Sequence, residues 1–246
     1  MRPEKLLICL QFWDGDRADA LRLARFMADL EPTFNHKVHI MFCARFDTVH
    51  DPETLNYVSK KFEVSKYTSV RKGATGWPYG CNELVHSIWH ELLVRSRQDP
   101  KFLQTFSAGY FLEADNVPLR RDWLKAIMEE WETREPHEVI MGAWHPSCSP
   151  VGHINGNMLF VPDLAGRISG LEGCAPNVGW DAAHVHRFSG RWKASQLMKN
   201  WYHATKVSVD ALFCPDIPGG PAPAVVHGVK DDSAWKIVQG LVRSPV

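Results

Sequence analysis

Leu6-Leu7-Ile8-Cys9-Leu10 is apolar at every position, and comparable runs return at Val38-His39-Ile40-Met41-Phe42-Cys43 and Ala108-Gly109-Tyr110-Phe111-Leu112. A strand with one wet face alternates polar and apolar residues. A run with no polar face must be covered on both sides, the situation of a central strand in a parallel sheet. Between the first two runs, Ala20, Leu21, Leu23, Ala24, Phe26, Met27 and Leu30 recur at helical spacing and predict an amphipathic helix over 17–30. Further helices are expected over 52–62, with Pro52 in the first turn, over 81–97 and over 119–132, with a third strand at Tyr67-Thr68-Ser69-Val70. This alternation predicts an α/β fold with right-handed crossovers.

After Pro136 the character changes. Short strand-like pieces at 139–142 and 158–161 sit among Gly, Pro, His and Trp. Helices are expected over 181–188 and from about Asp232, and the Pro/Gly-rich stretch 217–223 is expected to cross the surface as a loop. No flexible linker separates the two parts. One domain over 1–246 is expected, with a nucleotide-binding half at 1–135 and a more irregular half at 136–246.

The hydrophobic fraction, 45% of 246 residues, is enough for a sizeable core. With 28 basic and 28 acidic side chains, no whole-molecule field draws the protein toward nucleic acid or an anionic membrane. The six cysteines lack CxxC spacing, which predicts a reducing, cytoplasmic setting and no zinc site. The first apolar run is too short for a signal peptide or a membrane span. No obligate protein partner is evident.

Chemistry concentrates at strand ends. The run 108–112 stops in Glu113-Ala114-Asp115, two acids one residue apart. On extended backbone such residues point the same way. In open α/β sheets the carboxyl ends of the strands are where ligands bind. Two hard oxygen donors there suit Mg²⁺ or Mn²⁺ carrying substrate phosphates; the alternative is a solvated acidic turn. Near the C-terminus, Val225-Val226 delivers His227, Gly228 and Lys230. Imidazole ligates borderline cations, Gly permits close backbone approach to a phosphate, and Lys supplies charge.

Together these motifs resemble those of nucleotide-sugar-dependent glycosyltransferases of the GT-A fold. These have a Rossmann-like mixed, mainly parallel sheet flanked by helices, a DxD motif at a central strand end and, in many members, a C-terminal His at the metal. Here the first acid is Glu113 rather than Asp, and the glycogenin-like HxxGxxK pattern is shortened to His227-Gly228-Val229-Lys230. The resemblance implies metal ligands Asp115 and His227, with Glu113 on the metal or on the donor ribose. It implies a nucleoside-diphosphate sugar as donor, a UDP-sugar first. In the same frame, Gln11, Trp13 and Asp16 would meet the base and ribose, with a turn in which Asp16 caps the helix as the alternative. Arg71, Lys72 and Trp77 would line the donor pocket, the alternative being a rigid aromatic-Pro loop. Asn155 and Asn157 would read sugar hydroxyls, unless Asn155-Gly156 is a hairpin turn. Asp181 resembles the carboxylate of inverting members that deprotonates the acceptor; a helix-cap role is the alternative.

The acceptor stays open between a saccharide and a modified DNA base. Bacteriophage glycosyltransferases that decorate hydroxymethylated pyrimidines are comparably small, and for a phage-encoded enzyme the setting is the host cytoplasm. The basic residues Arg187, Arg191, Lys193 and Lys199 mark the half where an acceptor would bind. Two other classes compete. A nucleotidyl or phosphoryl transferase acting on sugar phosphates would carry a Gly-rich basic loop after the first strand, where this chain has Trp13-Asp14-Gly15-Asp16. A non-catalytic carbohydrate-binding protein would fit the ten Trp residues but needs no acid pair with a basic clamp.

Overall fold

A computed structural model describes residues 4–70, 75–145, 152–171, 173–174, 177–201, 208–215 and 219–243. Strands β1 (Lys5–Phe12), β2 (Asn35–Ala44), β3 (Phe62–Thr68) and β4 (Phe106–Glu113) pair in parallel in the order β3-β2-β1-β4. The fully apolar runs are the fully buried strands: Leu6 to Leu10 and Ala108 to Leu112 are all covered, as a central parallel strand requires. Helices α1 (Arg17–Leu30), α2 (Pro52–Val58), α3 (Tyr79–Gln98), α4 (Pro100–Gln104) and α5 (Trp123–Glu132) fill the connections between and beyond these strands.

The second half completes the same sheet. After β5 (Val117–Pro118), which stays outside this sheet, come β6 (Ile140–His145), β7 (His153–Phe160) and β8 (Trp192–Ala194), and β7 pairs antiparallel with both β4 and β6. The seven-stranded order is therefore β3-β2-β1-β4-β7-β6-β8. A smaller sheet in the order β5-β10-β9 is built from β9 (Met198–Asn200) and β10 (Val225–His227) around β5. The remaining helices are α6 (Leu164–Arg167), α7 (Trp180–Ala183), α8 (Val209–Phe213) and α9 (Ser233–Arg243).

An aromatic cluster fastens the end of β4. Trp89, Phe111 and Phe160 have ring centroids 4.7 to 4.8 Å apart, and Trp180 packs on Phe111 at 5.8 Å. Gly109 makes this possible, because a Cβ there would lie 2.2 Å from the Phe160 ring. Rings of this size dominate core energetics, so they pin the face of β4 that carries Gly109, Phe111 and Glu113.

Three element boundaries differ from expectation. The second helix stops at Val58 and β3 starts at Phe62, five residues ahead of the expected strand, because buried Phe62 must enter the core. Helix α5 starts at Trp123 rather than at 119, because Val117 and Pro118 pair with β10 and the Leu119 N–H bonds to the Ala224 carbonyl at 2.9 Å. The helix expected over 181–188 is one short turn, α7, followed by a 3-10 turn at Val185–Arg187.

Candidate active site

The small sheet assembles the site. β5 begins two residues after Asp115, and its antiparallel partner β10 pairs Val226 with Val117. The next residue along β10, His227, therefore falls beside the acid-bearing turn. Its Nε2 lies 2.8 Å from Glu113 Oε2 and 3.2 Å from Asp115 Oδ1. Lys230 forms an ion pair with the other oxygen of Asp115. Ligand atoms of Glu113, Asp115 and His227 all lie within 4.8 Å of one another.

Each member is aimed by a neighbour. On the parallel strand β9, Asn200 stands opposite His227, and its Oδ1 lies 3.1 Å from His227 Nδ1. An amide oxygen only accepts, so Nδ1 carries the proton and Nε2 is the nitrogen that faces the acids. Gly228 has φ +87, and a Cβ there would meet the Trp201 carbonyl at 2.8 Å. Only glycine turns the chain here, and the turn brings Lys230 back to Asp115. Asn116, fully buried, donates to the Glu113 carbonyl at 2.8 Å and exchanges two amide hydrogen bonds with Asn157, at 3.0 and 2.9 Å.

Electrostatics follow the geometry. Burial opposes the His227 charge, but the carboxylates of Asp115 and Glu113 outweigh it and raise its pKa to about 10. Burial would raise the Asp115 carboxyl; His227 and Lys230 outweigh it and hold that carboxyl below the usual range. At Asp16 burial prevails. With Asp115 and Glu113 adding repulsion against the Trp13 N–H, its pKa is raised to about 7.

Two cavities meet at the acid pair. One, of about 400 Å³, is lined by Gln11, Trp13, Asp16, Arg45 and Trp77 together with Glu113, Asp115 and Lys230. The other, of about 350 Å³, shares Trp77, Glu113, Asp115 and Lys230 and adds Asn155, Asp181, His227 and Gly228. The Gln11 amide nitrogen is buried without a hydrogen-bond partner among the described residues. Asp16 Oδ1 accepts the Trp13 N–H at 2.8 Å, so its carboxylate closes the β1 turn instead of capping α1.

The second cavity depends on an irregularity. Between Gly142↔Met158 and Trp144↔Ile154 the register of β6 and β7 slips, so Asn155, Gly156 and Asn157 stand opposite one residue. This bulge, where a hairpin turn was the alternative, turns the Gly156 N–H to Asp181 Oδ2 at 2.9 Å. Asp181 lies in the first turn of α7. Its Oδ1 accepts the Ala182 N–H at 2.9 Å, and His153 Nε2 stands 3.6 Å from its Oδ2. Burial would raise its pKa, but His153 and the two N–H groups outweigh burial and hold it below the ordinary carboxylate range.

Eleven of the expected site residues thus line one or both cavities: Gln11, Trp13, Asp16, Trp77, Glu113 and Asp115 from the first half, and Asn155, Asp181, His227, Gly228 and Lys230 from the second. Asn157 does not. Only 1% exposed and with its amide committed to Asn116, it supports the acid-bearing turn and has nothing left to read a sugar. Arg71 and Lys72 lie outside the described residues. Of the basic residues in the second half, Arg187 bonds to the Ser169 carbonyl, Lys193 to Glu130 and Thr133, and Lys199 to the Ala211 and Cys214 carbonyls. Residues not anticipated are Arg45, which follows β2 as Arg71 follows β3 and sits 5.6 Å from the Trp13 ring, and Asn200, whose three-residue strand has no readable period.

The fold is that of GT-A glycosyltransferases: a mixed, mainly parallel sheet flanked by helices, with an acid pair at a central strand end. Solved structures that share it include a mannosyltransferase from Pyrobaculum calidifontis in complex with GDP-Man and Mn²⁺ (14% identity over 79% of this chain and 54% of that one, TM-score 0.50). The bifunctional glycosyltransferase WbbM shares it too (10% identity, 94% and 47% coverage, TM-score 0.58), as does mouse xyloside xylosyltransferase 1 (12%, 94% and 99%, TM-score 0.54). The chain spans about half the length of the first two. No protein-family model and no curated sequence matches it. Among the described residues no helix is long and apolar enough to cross a membrane.

Proposed function

We propose that this protein is a metal-dependent glycosyltransferase that moves a sugar from a nucleoside-diphosphate sugar to an acceptor hydroxyl. One observation carries the reading: Glu113, Asp115 and His227 converge where two cavities meet, one sized and lined for a nucleoside and the other for a sugar and its acceptor. Two carboxylates and an imidazole with its far nitrogen fixed by Asn200 are a donor set that fits Mn²⁺ or Mg²⁺. When bound there, such a cation would supply positive charge to a diphosphate leaving group.

The chain's own residues do the rest. Gln11 offers a buried amide to the base, Asp16 accepts from ribose hydroxyls, and Trp13 and Trp77 provide flat apolar faces. Lys230 adds positive charge at the diphosphate and is kept charged by Asp115. Asn155 reads the transferred sugar. Asp181 receives the acceptor proton; its depressed pKa keeps it ionised, and the Gly156 and Ala182 N–H groups fix its direction. A saccharide acceptor is favoured over a DNA base, because three of the four basic residues of the second half, Arg187, Lys193 and Lys199, are tied to protein carbonyls and a hydroxyl, which leaves Arg191 too little company for a basic face.

The test is a donor panel with UDP- and GDP-sugars, in Mn²⁺, in Mg²⁺ and in chelator, followed by mass spectrometry of added oligosaccharides. Metal-dependent release of nucleoside diphosphate with mass added to a saccharide is expected. No metal-dependent release and no metal-dependent nucleotide binding with any donor would sink the proposal.

A further inference from the structure

A second group of ligand-type side chains lies behind the site. His86 on α3, Cys174 in the segment before α7, and His184, the residue that ends α7, place one ligand atom each within 4.8 Å of the others. Both histidines are buried, at 5% and 2% exposure, and Cys174 is partly buried against the core. The two imidazole rings stand 6.2 Å apart at 67°, tilted rather than stacked. His86 is remote in sequence from Cys174 and His184, and no carboxylate belongs to the group.

We propose that His86, Cys174 and His184 form a zinc site. Two imidazoles and one thiolate suit a borderline, soft-tolerant cation and not Mg²⁺ or Ca²⁺. At ordinary Zn–N and Zn–S bond lengths a tetrahedral ion holds its ligand atoms about 3.5 Å apart. The group is within rotamer adjustment of that spacing. Water or another donor completes the fourth position on the side where Cys174 reaches solvent, and the thiol gives up its proton on coordination. The absence of CxxC spacing in the sequence does not count against such a site, because its ligands come from three separate elements.

The location gives the ion a role. One turn before His86 on the same helix, Asn82 accepts the Trp180 N–H at 2.8 Å and donates to the Val178 carbonyl at 2.7 Å. That seam fastens α3 to the start of α7. Zinc on His86, Cys174 and His184 would close it at the far end and before it, so the segment bearing Asp181 would be clamped to α3 on both sides. The role is positional: the ion would order the acceptor wall without touching substrate.

The experiment titrates Zn²⁺ and Co²⁺ into the metal-stripped full chain carrying Asp115→Ala, which disables the acid-pair site. We expect one tightly bound equivalent by elemental analysis and, for Co²⁺, a thiolate-to-metal charge-transfer band with the d–d intensity of a tetrahedral ion. Cys174→Ser should erase the band and weaken Zn²⁺ binding at least about tenfold, and Cys81→Ser should keep both. Zn²⁺ should raise the melting temperature of the Asp115→Ala protein and not of the Asp115→Ala, Cys174→Ser double variant. Less than one equivalent, or a Co²⁺ complex without a thiolate band, overturns the site. If Cys174→Ser fails to fold, the titration and spectrum of the parent protein decide alone.

Discussion

The described residues hold two clusters of ligand-type side chains with opposite chemistry. Glu113, Asp115 and His227 combine two carboxylates with one imidazole at the junction of two cavities, next to Lys230. His86, Cys174 and His184 combine two imidazoles with a thiol and lie against the core behind α7. Oxygen-rich, solvent-reachable donors select a hard cation that can also hold phosphate oxygens, and nitrogen and sulfur donors select an ion that stays. Position follows chemistry: the first cluster sits at strand ends, where two cavities meet, and the second joins two elements of the scaffold.

The contrast is broken most directly at Asp115. Asp115→Ala should lower metal-dependent turnover by about 10³-fold, the loss expected when a directly placed charge-stabilising group is removed. Thermal unfolding should stay cooperative, and zinc binding at the thiol cluster should be untouched. Turnover within tenfold of the parent protein would show that the acid pair does not hold the cation.

The next largest effect should come from Asn116, which touches neither cation. Asn116→Ala removes the partner of both polar groups of the buried Asn157 amide and one of the two donors to the Glu113 carbonyl, leaving only the backbone N–H of residue 116 there. Destabilisation of about 2–3 kcal/mol is expected from denaturant unfolding, with turnover falling because the Glu113–Asp115 turn loosens. A neutral substitution would mean the amide pair is not what holds the turn.

Asn200→Ala is subtler. It removes the partner of His227 Nδ1 and should weaken Mn²⁺ binding about tenfold while leaving the thiol cluster's zinc affinity unchanged. Equal weakening at both clusters would point to a general loosening of the fold.

What the sequence discloses follows from periodicity. β1, β2 and β4 are long apolar runs, and α1 carries a full helical stripe, so the sheet and the acid pair at its edge are visible without coordinates. His227 is visible because two β-branched residues precede it. Asn200 is not, because β9 has three residues, too few for any period to show. The Asn116–Asn157 pair joins positions 41 apart, and the bulge that reorients Asn155 to Asn157 is a pairing error between strands that neither strand encodes alone. The thiol cluster is hidden for the same reason: residues 86, 174 and 184 become neighbours only after α3 and α7 have packed. Local pattern discloses the elements, and chemistry that depends on contacts between elements appears only in three dimensions.

The smallest effect separates the clusters by field instead of by ligand. Asp16 has its pKa raised to about 7 by burial and by the charges of Asp115 and Glu113. An acid whose native pKa exceeds its unfolded value binds more protons in the native state. The Asp16 contribution to metal-free stability should therefore fall as pH rises from about 4 to about 7, the slope being set by the protons the native state retains; above that the decline continues through His227, whose pKa raised to about 10 keeps its proton on the native state longer than on the unfolded chain. Asp16→Asn should flatten that part of the profile. Affinity for a nucleoside diphosphate should change the other way, rising through pH 7 as Asp16 becomes a pure acceptor for ribose hydroxyls. A cation at the acid pair cancels part of the repulsion and should move the midpoint to lower pH; zinc at the thiol cluster should leave it in place. A midpoint that moves with zinc, or fails to move with Mn²⁺, would place the hard cation somewhere other than beside Asp115 and Glu113.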